Sequence, residues 1–386
     1  MKFAIRRSSA TLFGLALLLL PGLALAQHYQ QTNLIGNPNP TQPPPGGNPV
    51  KTEPHLFNPW GLTRSSNSTW WVADNHAGVS TLFDGNDGSI SKLVVTIPPS
   101  GSNPTGTVFN GTPDFPVGIA VTGPNAGKPV PGVFFFATEN GTIAGWNPTV
   151  DPTNAIQVVG PKKNAIYKGL TLAEANGQHY LYAANFHSGK IEVYDTKFTQ
   201  VKFFGDAFED DRVPKGYGPF NVQAVGRNIV VAWAKQDDDK EDEVRGAGLG
   251  FVDVFSTTGQ LLLRLEHGPW LNAPWGIALA PGDFGEFSHS LLIGQNGGGN
   301  IAAFSPFTGH FRGNILHEDG ASFSIPGLWA IAFGNNNGTL SGNPPVPPGA
   351  GPFNTLFFNA GPNDENDGLF GTLTPVITEL NEEDEP

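Results

Sequence analysis

Asn58-Pro-Trp-Gly-Leu62 and then Trp70-Trp-Val-Ala-Asp-Asn-His-Ala-Gly-Val-Ser-Thr-Leu-Phe83 are the residues on which the fold turns. A Pro/Gly turn opens a short apolar strand. A second apolar run follows, then a small polar turn, then an alternating strand closed by an aromatic residue. The same order returns along the chain. Openings recur at Tyr167-Lys-Gly-Leu170, Gly218-Pro-Phe-Asn221, Pro274-Trp-Gly-Ile277 and Pro326-Gly-Leu-Trp329. Strand–turn–strand blocks recur at 133–146, 180–194, 291–304 and 355–370. In the fourth copy the block is split, with Asn228 to Ala234 before an acidic insertion and Gly250 to Phe255 after it. Six copies spaced by roughly 50 residues match the repeat length of propeller blades. The second copy has two possible openings, Pro104-Thr-Gly-Thr107 and Val117-Gly-Ile-Ala120.

The pattern predicts an all-β, six-bladed β-propeller. No stretch after the first 26 residues keeps a 3.6-residue apolar period for three turns, so a helical solenoid does not fit. One blade alone would expose a flat apolar sheet; a ring of six buries those faces. The ring also needs closing. A strand at about Gln30 to Ile35, beside the Leu369 strand of the last blade, is the expected closure. Pro38 to Pro54 then leads into blade 1, and Ser341 to Pro352 is a loop within blade 6.

Composition narrows the function. The formal charge is −13 and the basic residues Lys2, Arg6 and Arg7 lie in the first segment, so the remainder is more acidic still. That argues against nucleic acid and anionic membrane surfaces as partners. Gly (50) and Pro (35) exceed a fifth of the chain, as turn-rich β structure requires. There is no cysteine, which excludes disulfides, thiolate nucleophiles and zinc–thiolate sites. Residues 1–26 read as a signal peptide: a basic start, a ten-residue apolar run from Thr11 to Leu20, and Ala24-Leu25-Ala26 as the cleavage pattern. The apolar run is too short to span a bilayer. The expected layout is a signal peptide (1–26), one propeller domain (27–373) and an acidic tail (374–386), secreted or periplasmic and monomeric.

Antiparallel blades bring the opening turns and the mid-blade polar turns to one end of the ring. The residues expected there are Asn58, Asp74, Asn75, His76, Glu139, Asn140, Asn185, His187, Lys235, Asp237, Gln295, Asn296, Asn363 and Asp364. Loops on a rigid scaffold carry binding groups, though tight turns favour Asn, Asp and Gly on their own account. His76 and His187 hold related places in blades 1 and 3 and are candidate ligands or an acid–base pair. Oxygen donors at Glu139, Asn185, Asn221 and Asp237 would suit Ca2+ or another divalent cation. Asn363-Asp-Glu-Asn-Asp-Gly368 begins like a calcium loop, but Thr374 stands where its bidentate Glu belongs. No G-x-S-x-G elbow, S-x-x-K or phosphate loop is present. Trp60, Trp275 and Trp329 recur at one place in the repeat, which favours packing between blades over sugar stacking.

The strings Asn58-Pro-Trp-Gly-Leu62, Phe136-Ala-Thr-Glu-Asn-Gly-Thr-Ile-Ala-Gly-Trp146, Tyr182-Ala-Ala-Asn-Phe-His187, Ala234-Lys-Gln-Asp237, Gly250-Phe-Val-Asp-Val-Phe255, Ala273-Pro-Trp-Gly-Ile277 and Ala360-Gly-Pro-Asn-Asp-Glu365 resemble an uncharacterised family of exported bacterial proteins. That family is similar to NHL-repeat six-bladed propellers. The resemblance spans about Thr32 to Gly371 and implies fold and export, without an activity. Two functions stay open on sequence. One is a binding or scaffold module that holds a protein, glycan or small molecule on the polar face. The other is a divalent-metal hydrolase, lactonase-like, by analogy of fold.

Overall fold

Short strands between Gly and Pro turns pair in order within each repeat and give six antiparallel blades. The computed structural model describes residues 28–335 and 349–376. The expected signal segment, most of the Ser341–Pro352 loop and the acidic tail from residue 377 lie outside the described residues. Blade 1 uses Pro59–Thr63, Trp70–Asp74, Val79–Phe83 and Val95–Thr96. Blade 2 uses Pro104–Phe109, Phe134–Thr138, Ile143–Trp146 and Ile156–Val159. This settles its opening: Pro116–Ile119 belongs to a separate hairpin with Pro129–Pro131. Blades 3, 4 and 5 begin at Tyr167–Ala175, Tyr217–Val225 and Pro274–Leu279. The one described helical turn is Gly285–Phe287.

Blade 6 is built from both ends of the chain. Leu328–Phe333, Leu356–Ala360 and Leu369–Pro375 are joined by Tyr29–Gly36, antiparallel to the third strand. The closing strand thus covers an edge that would otherwise template aggregation. The last strand runs on through Thr374 and Pro375, past the expected domain end at 373, because the closing strand starts at Tyr29 and gives them partners. Tyr29 donates its hydroxyl to the Phe284 carbonyl at 2.7 Å, which ties the closing strand to blade 5. Asp367 anchors its other end, accepting hydrogen bonds from Asn37 Nδ2 at 2.8 Å and the Thr41 amide at 2.9 Å.

Strand alternation explains the runs of consecutive large apolar residues. Successive side chains point to opposite faces, and in a propeller both faces are covered. Trp70 therefore packs toward blade 6 with Phe357 and Phe370, while Trp71 packs toward blade 2 with Phe134, Phe136 and Trp146. Phe135 and Phe358 similarly belong to the 2–3 and 5–6 seams.

The inner strands meet at the axis through a shared position. Trp60, Thr105, Lys168, Phe220, Trp275 and Trp329 occupy it in blades 1 to 6, and four of the six are aromatic. Trp60 and Trp329 stack with centroids 3.5 Å apart, Trp275 meets both edge-on, and Phe220 and Phe186 complete a buried plug. The next residue is Gly in four blades, because strands converge too closely for a side chain. A Cβ on Gly276 would lie 2.7 Å from the Trp329 carbonyl oxygen.

Candidate functional site

Above the aromatic plug, on the end where the polar turns gather, lies an open bowl of about 730 Å³. Its walls come from Asn75 and His76 of blade 1, Glu139 and Asn140 of blade 2, and Lys162, Lys163, Ala165 and Ile166 leading into blade 3. His187, Glu241, Asp242 and Glu365 add walls from blades 3, 4 and 6, and Trp60 lies at the base.

Lys168 is the group that organises this floor. It stands where other blades place an aromatic ring, and its side chain is fully buried. Nζ donates to Glu139 Oε1 at 2.5 Å and to Asp242 Oδ1 at 3.2 Å. It also lies 4.8 Å from the Trp60 ring centroid, in cation–π contact. Burial alone would lower the Lys168 pKa; the negative charges of Glu139 and Asp242 outweigh it and hold the ammonium above the ordinary lysine range. For Glu139, burial pushes the carboxyl up, but Lys168, Asn75 and Asn103 together hold it below its usual value. Asn75 Nδ2 supplies one of those hydrogen bonds, at 3.2 Å to Glu139 Oε2.

The acidic insertion of blade 4 folds back over this floor. Strand Asn228–Lys235 ends at its start, and Gln236 bridges to Glu243 while the Val244 amide bonds to the Lys235 carbonyl at 2.7 Å. The resulting hairpin carries Asp242 to Lys168 of blade 3 and Arg245 to Glu365 of blade 6, the latter at 2.7 Å. Glu365 is aimed inward by three left-handed residues in a row, Asn363, Asp364 and Glu365, at φ 58°, 51° and 67°. Its other oxygen accepts from Asn58 Nδ2 at 2.7 Å. Asn58 Oδ1 in turn takes the Trp329 indole N–H at 2.8 Å, so Asn58 links the plug to the bowl.

Five of the fourteen expected face residues line the bowl: Asn75, His76, Glu139, Asn140 and His187. Burial keeps the His76 pKa below its ordinary value, and its Nε2 lies 3.3 Å from Asn58 Nδ2. His187 Nδ1 is buried and has no hydrogen-bond partner. The others lie outside the bowl's lining. Asp74 is fully buried and accepts from the Thr81 amide and hydroxyl at 3.1 and 2.8 Å. Gln295 accepts the Asn272 amide at 2.8 Å, Asn363 donates to Asp367, and Asn296 is buried with its amide unpaired. Lys235 is exposed at its strand end, and Asp364 lies in the left-handed turn.

The four expected cation ligands do not converge. Glu139 is committed to Lys168. Asn185 bonds Glu192 and the Ser188 amide at 3.0 and 3.1 Å. Asn221 bonds the Trp275 carbonyl at 2.6 Å below the bowl, and Asp237 caps the hairpin turn through the Glu241 amide at 2.9 Å. Among the described residues no three His, Asp or Glu side chains form a group that could hold a metal ion.

Two uncharacterised proteins of Acanthamoeba polyphaga mimivirus resemble the chain over most of its length. Uncharacterized protein R648 is 31% identical over 330 residues, covering 83% of this chain and 76% of that protein. Uncharacterized protein L690 is 30% identical over 342 residues, covering 83% and 81%. The chain belongs to their family. No family model matches it. These family members are viral proteins, and they neither support nor exclude the exported bacterial relatives that the sequence resemblance implied. Among solved structures, a protein of unknown function from Bacteroides thetaiotaomicron VPI-5482 aligns with TM-score 0.51 at 11% identity, over 90% of this chain and 76% of that one. Virginiamycin B lyase from Staphylococcus aureus aligns more loosely, with TM-score 0.46 at 15% identity over 91% and 100%. Likeness at this identity speaks to the fold of the family and not to its chemistry.

Proposed function

We propose that this propeller is a binding module that holds a small polar ligand in the axial bowl. The observation that carries the reading is the ion pair between Glu139, which lines an open cavity, and Lys168, buried behind it. A buried ion pair stabilises a fold poorly compared with apolar packing of the same volume. Here it occupies a position that four of the six blades fill with an aromatic residue, so apolar packing does not account for it. Perturbed charged groups at the bottom of a cleft are the usual mark of a ligand site. Trp60 and His187 also line the bowl, and Trp60 Nε1 and His187 Nδ1 are buried there without partners.

Nucleophilic catalysis by Lys168 does not fit, since an amine must lose its proton to attack and Lys168 is held protonated. The divalent-metal hydrolase has no donor set to favour it: Glu139, Asp242 and Glu365 are engaged with Lys168, Arg245 and Asn58, and among the described residues no three His, Asp or Glu form a metal-holding group. We further propose that the protein works outside the cytoplasm, secreted or periplasmic. This rests on the first 26 residues alone.

A thermal-shift screen of the chain from Gln27 onward, against sugars, amino acids and organic acids, tests the binding reading. At least one class should raise the melting temperature, and the rise should vanish in His187→Ala and Asn140→Ala. A screen without hits, or hits indifferent to both substitutions, would overturn it.

A further inference from the structure

We infer that the bowl takes its ligand by a carboxylate, which displaces Asp242 from Lys168, so that the acidic hairpin is a built-in occupant of the site. The inference rests on the binding reading above and names the chemistry of the group bound.

The two partners of Lys168 are unequal. Glu139 approaches to 2.5 Å and is itself held by Asn75. Asp242 stands at 3.2 Å, and its side chain is 72% exposed while that of Lys168 is 0% exposed. An exposed carboxylate gains little from an ion pair, because water serves it almost as well. A buried ammonium has no such alternative. The second place on Lys168 is therefore a lasting anion position with a weakly held occupant. That occupant is a carboxylate, so another carboxylate fits the same distance and charge. A phosphate dianion would bring a second charge beside Glu139 and meet repulsion.

The hairpin is arranged to yield. Blades 1, 2, 3 and 5 join the corresponding strands by short turns, such as 75–78 and 139–142, whereas blade 4 uses residues 236–249. The far side of the hairpin is fastened by Arg245 to Glu243 and Glu365 at 2.9 and 2.7 Å. Asp242 lies on the tip side, where the Asp237 amide bonds to its carbonyl at 2.9 Å. Only the exposed Asp242 side chain need turn away from Lys168, so the hairpin ladder and the Arg245 fastening stay. The lining of the bowl carries Lys163 and His187 along with Glu241 and Glu365, and the last of these is already paired with Arg245.

Chemical rescue tests this. Asp242→Ala empties the position, and sodium acetate is the carboxylate probe, with acetamide as its neutral isostere and sodium chloride matching ionic strength. Acetate should raise the melting temperature of Asp242→Ala in a saturable way, at concentrations at least tenfold lower than for the unsubstituted chain. Acetamide should do nothing, and Asp242→Ala/Lys168→Met should not respond to acetate. If the double variant fails to fold, the Trp60 indole N–H resonance of Asp242→Ala serves instead and should move with acetate only. Equal responses to acetate and acetamide, or none to either, would overturn the inference. Should the wider screen find ligands in the bowl that are all neutral or cationic, the binding reading stands and this inference falls.

Discussion

The Lys168 ammonium lies 4.8 Å from the centre of the Trp60 ring, in a place where four of the six blades supply the ring itself. The plug of the propeller thus contains one charge, held by Glu139 from the preceding blade.

That pair should respond unequally to its two deletions. Glu139→Gln leaves a fully buried ammonium with only the exposed Asp242, and should cost about 3 kcal/mol in urea denaturation. Lys168→Met leaves Glu139, whose side chain is 21% exposed to the bowl, and should cost clearly less. The double variant should lie close to Lys168→Met. Equal single costs that simply add would show that the two groups are not coupled.

Asp253, on the Gly250–Ser256 strand of blade 4, predicts a pH effect far from the bowl. Burial first, and then the charge of Asp210, push its carboxyl up to about 8. Below about pH 4 both folded and unfolded chains hold the proton. Between about 4 and 8 only the folded chain holds it, so stability falls as pH rises, by at most about 1.4 kcal/mol per unit. Above that window the loss is constant. Denaturation curves at pH 5 and 8 should show this fall in the unsubstituted chain, and Asp253→Asn should flatten it.

Asp367 works in the opposite sense. Burial would raise its carboxyl, but hydrogen bonds from Thr41, Asn363 and Asn37 outweigh it and hold the pKa low. Its contribution is therefore present at neutral pH and lost as pH falls through the folded pKa. Asp367→Asn should cost about 2 kcal/mol at pH 7, the worth of charge-assisted hydrogen bonds, and the gap should narrow in acid. Hydrogen exchange should show the loss first in Tyr29–Gly36, because these bonds hold the loop that follows it.

Chelation should leave the fold unmoved. Glu139, Asn185, Asn221 and Asp237 each have a protein partner, so excess EDTA should not shift the melting temperature. A downward shift reversed by Ca2+ would reinstate the metal reading.

The ring, its closing strand and the polar end were legible in the sequence because they follow from local rules: period-2 runs, Pro/Gly turns and a repeat. The aromatic repeat at Trp60, Trp275 and Trp329 could be read as packing, and it forms the plug. Lys168 was visible in Tyr167-Lys-Gly-Leu170, aligned with those residues. Its deviation from the aromatic pattern was the available signal for the site. The rest depended on contacts the repeat does not encode. Asp237 and Asp242 look alike in the acidic run, and only the Gln236–Glu243 register decides which one reaches Lys168. Asn58 meets Glu365 across 307 residues, through a left-handed turn whose composition looked like a calcium loop.

The claim that the bowl binds a ligand is tested most directly at Trp60. Trp60 lines the bowl and its indole N–H is buried without a partner, whereas Trp329 donates to Asn58 and Trp146 to the Pro152 carbonyl at 3.2 Å. In a ¹⁵N-labelled chain, with the Trp60 indole peak assigned through Trp60→Phe, ligands found by the thermal-shift screen should move that peak and leave the Trp146 peak in place. Ligands that stabilise the protein yet leave the Trp60 peak still would contradict the account.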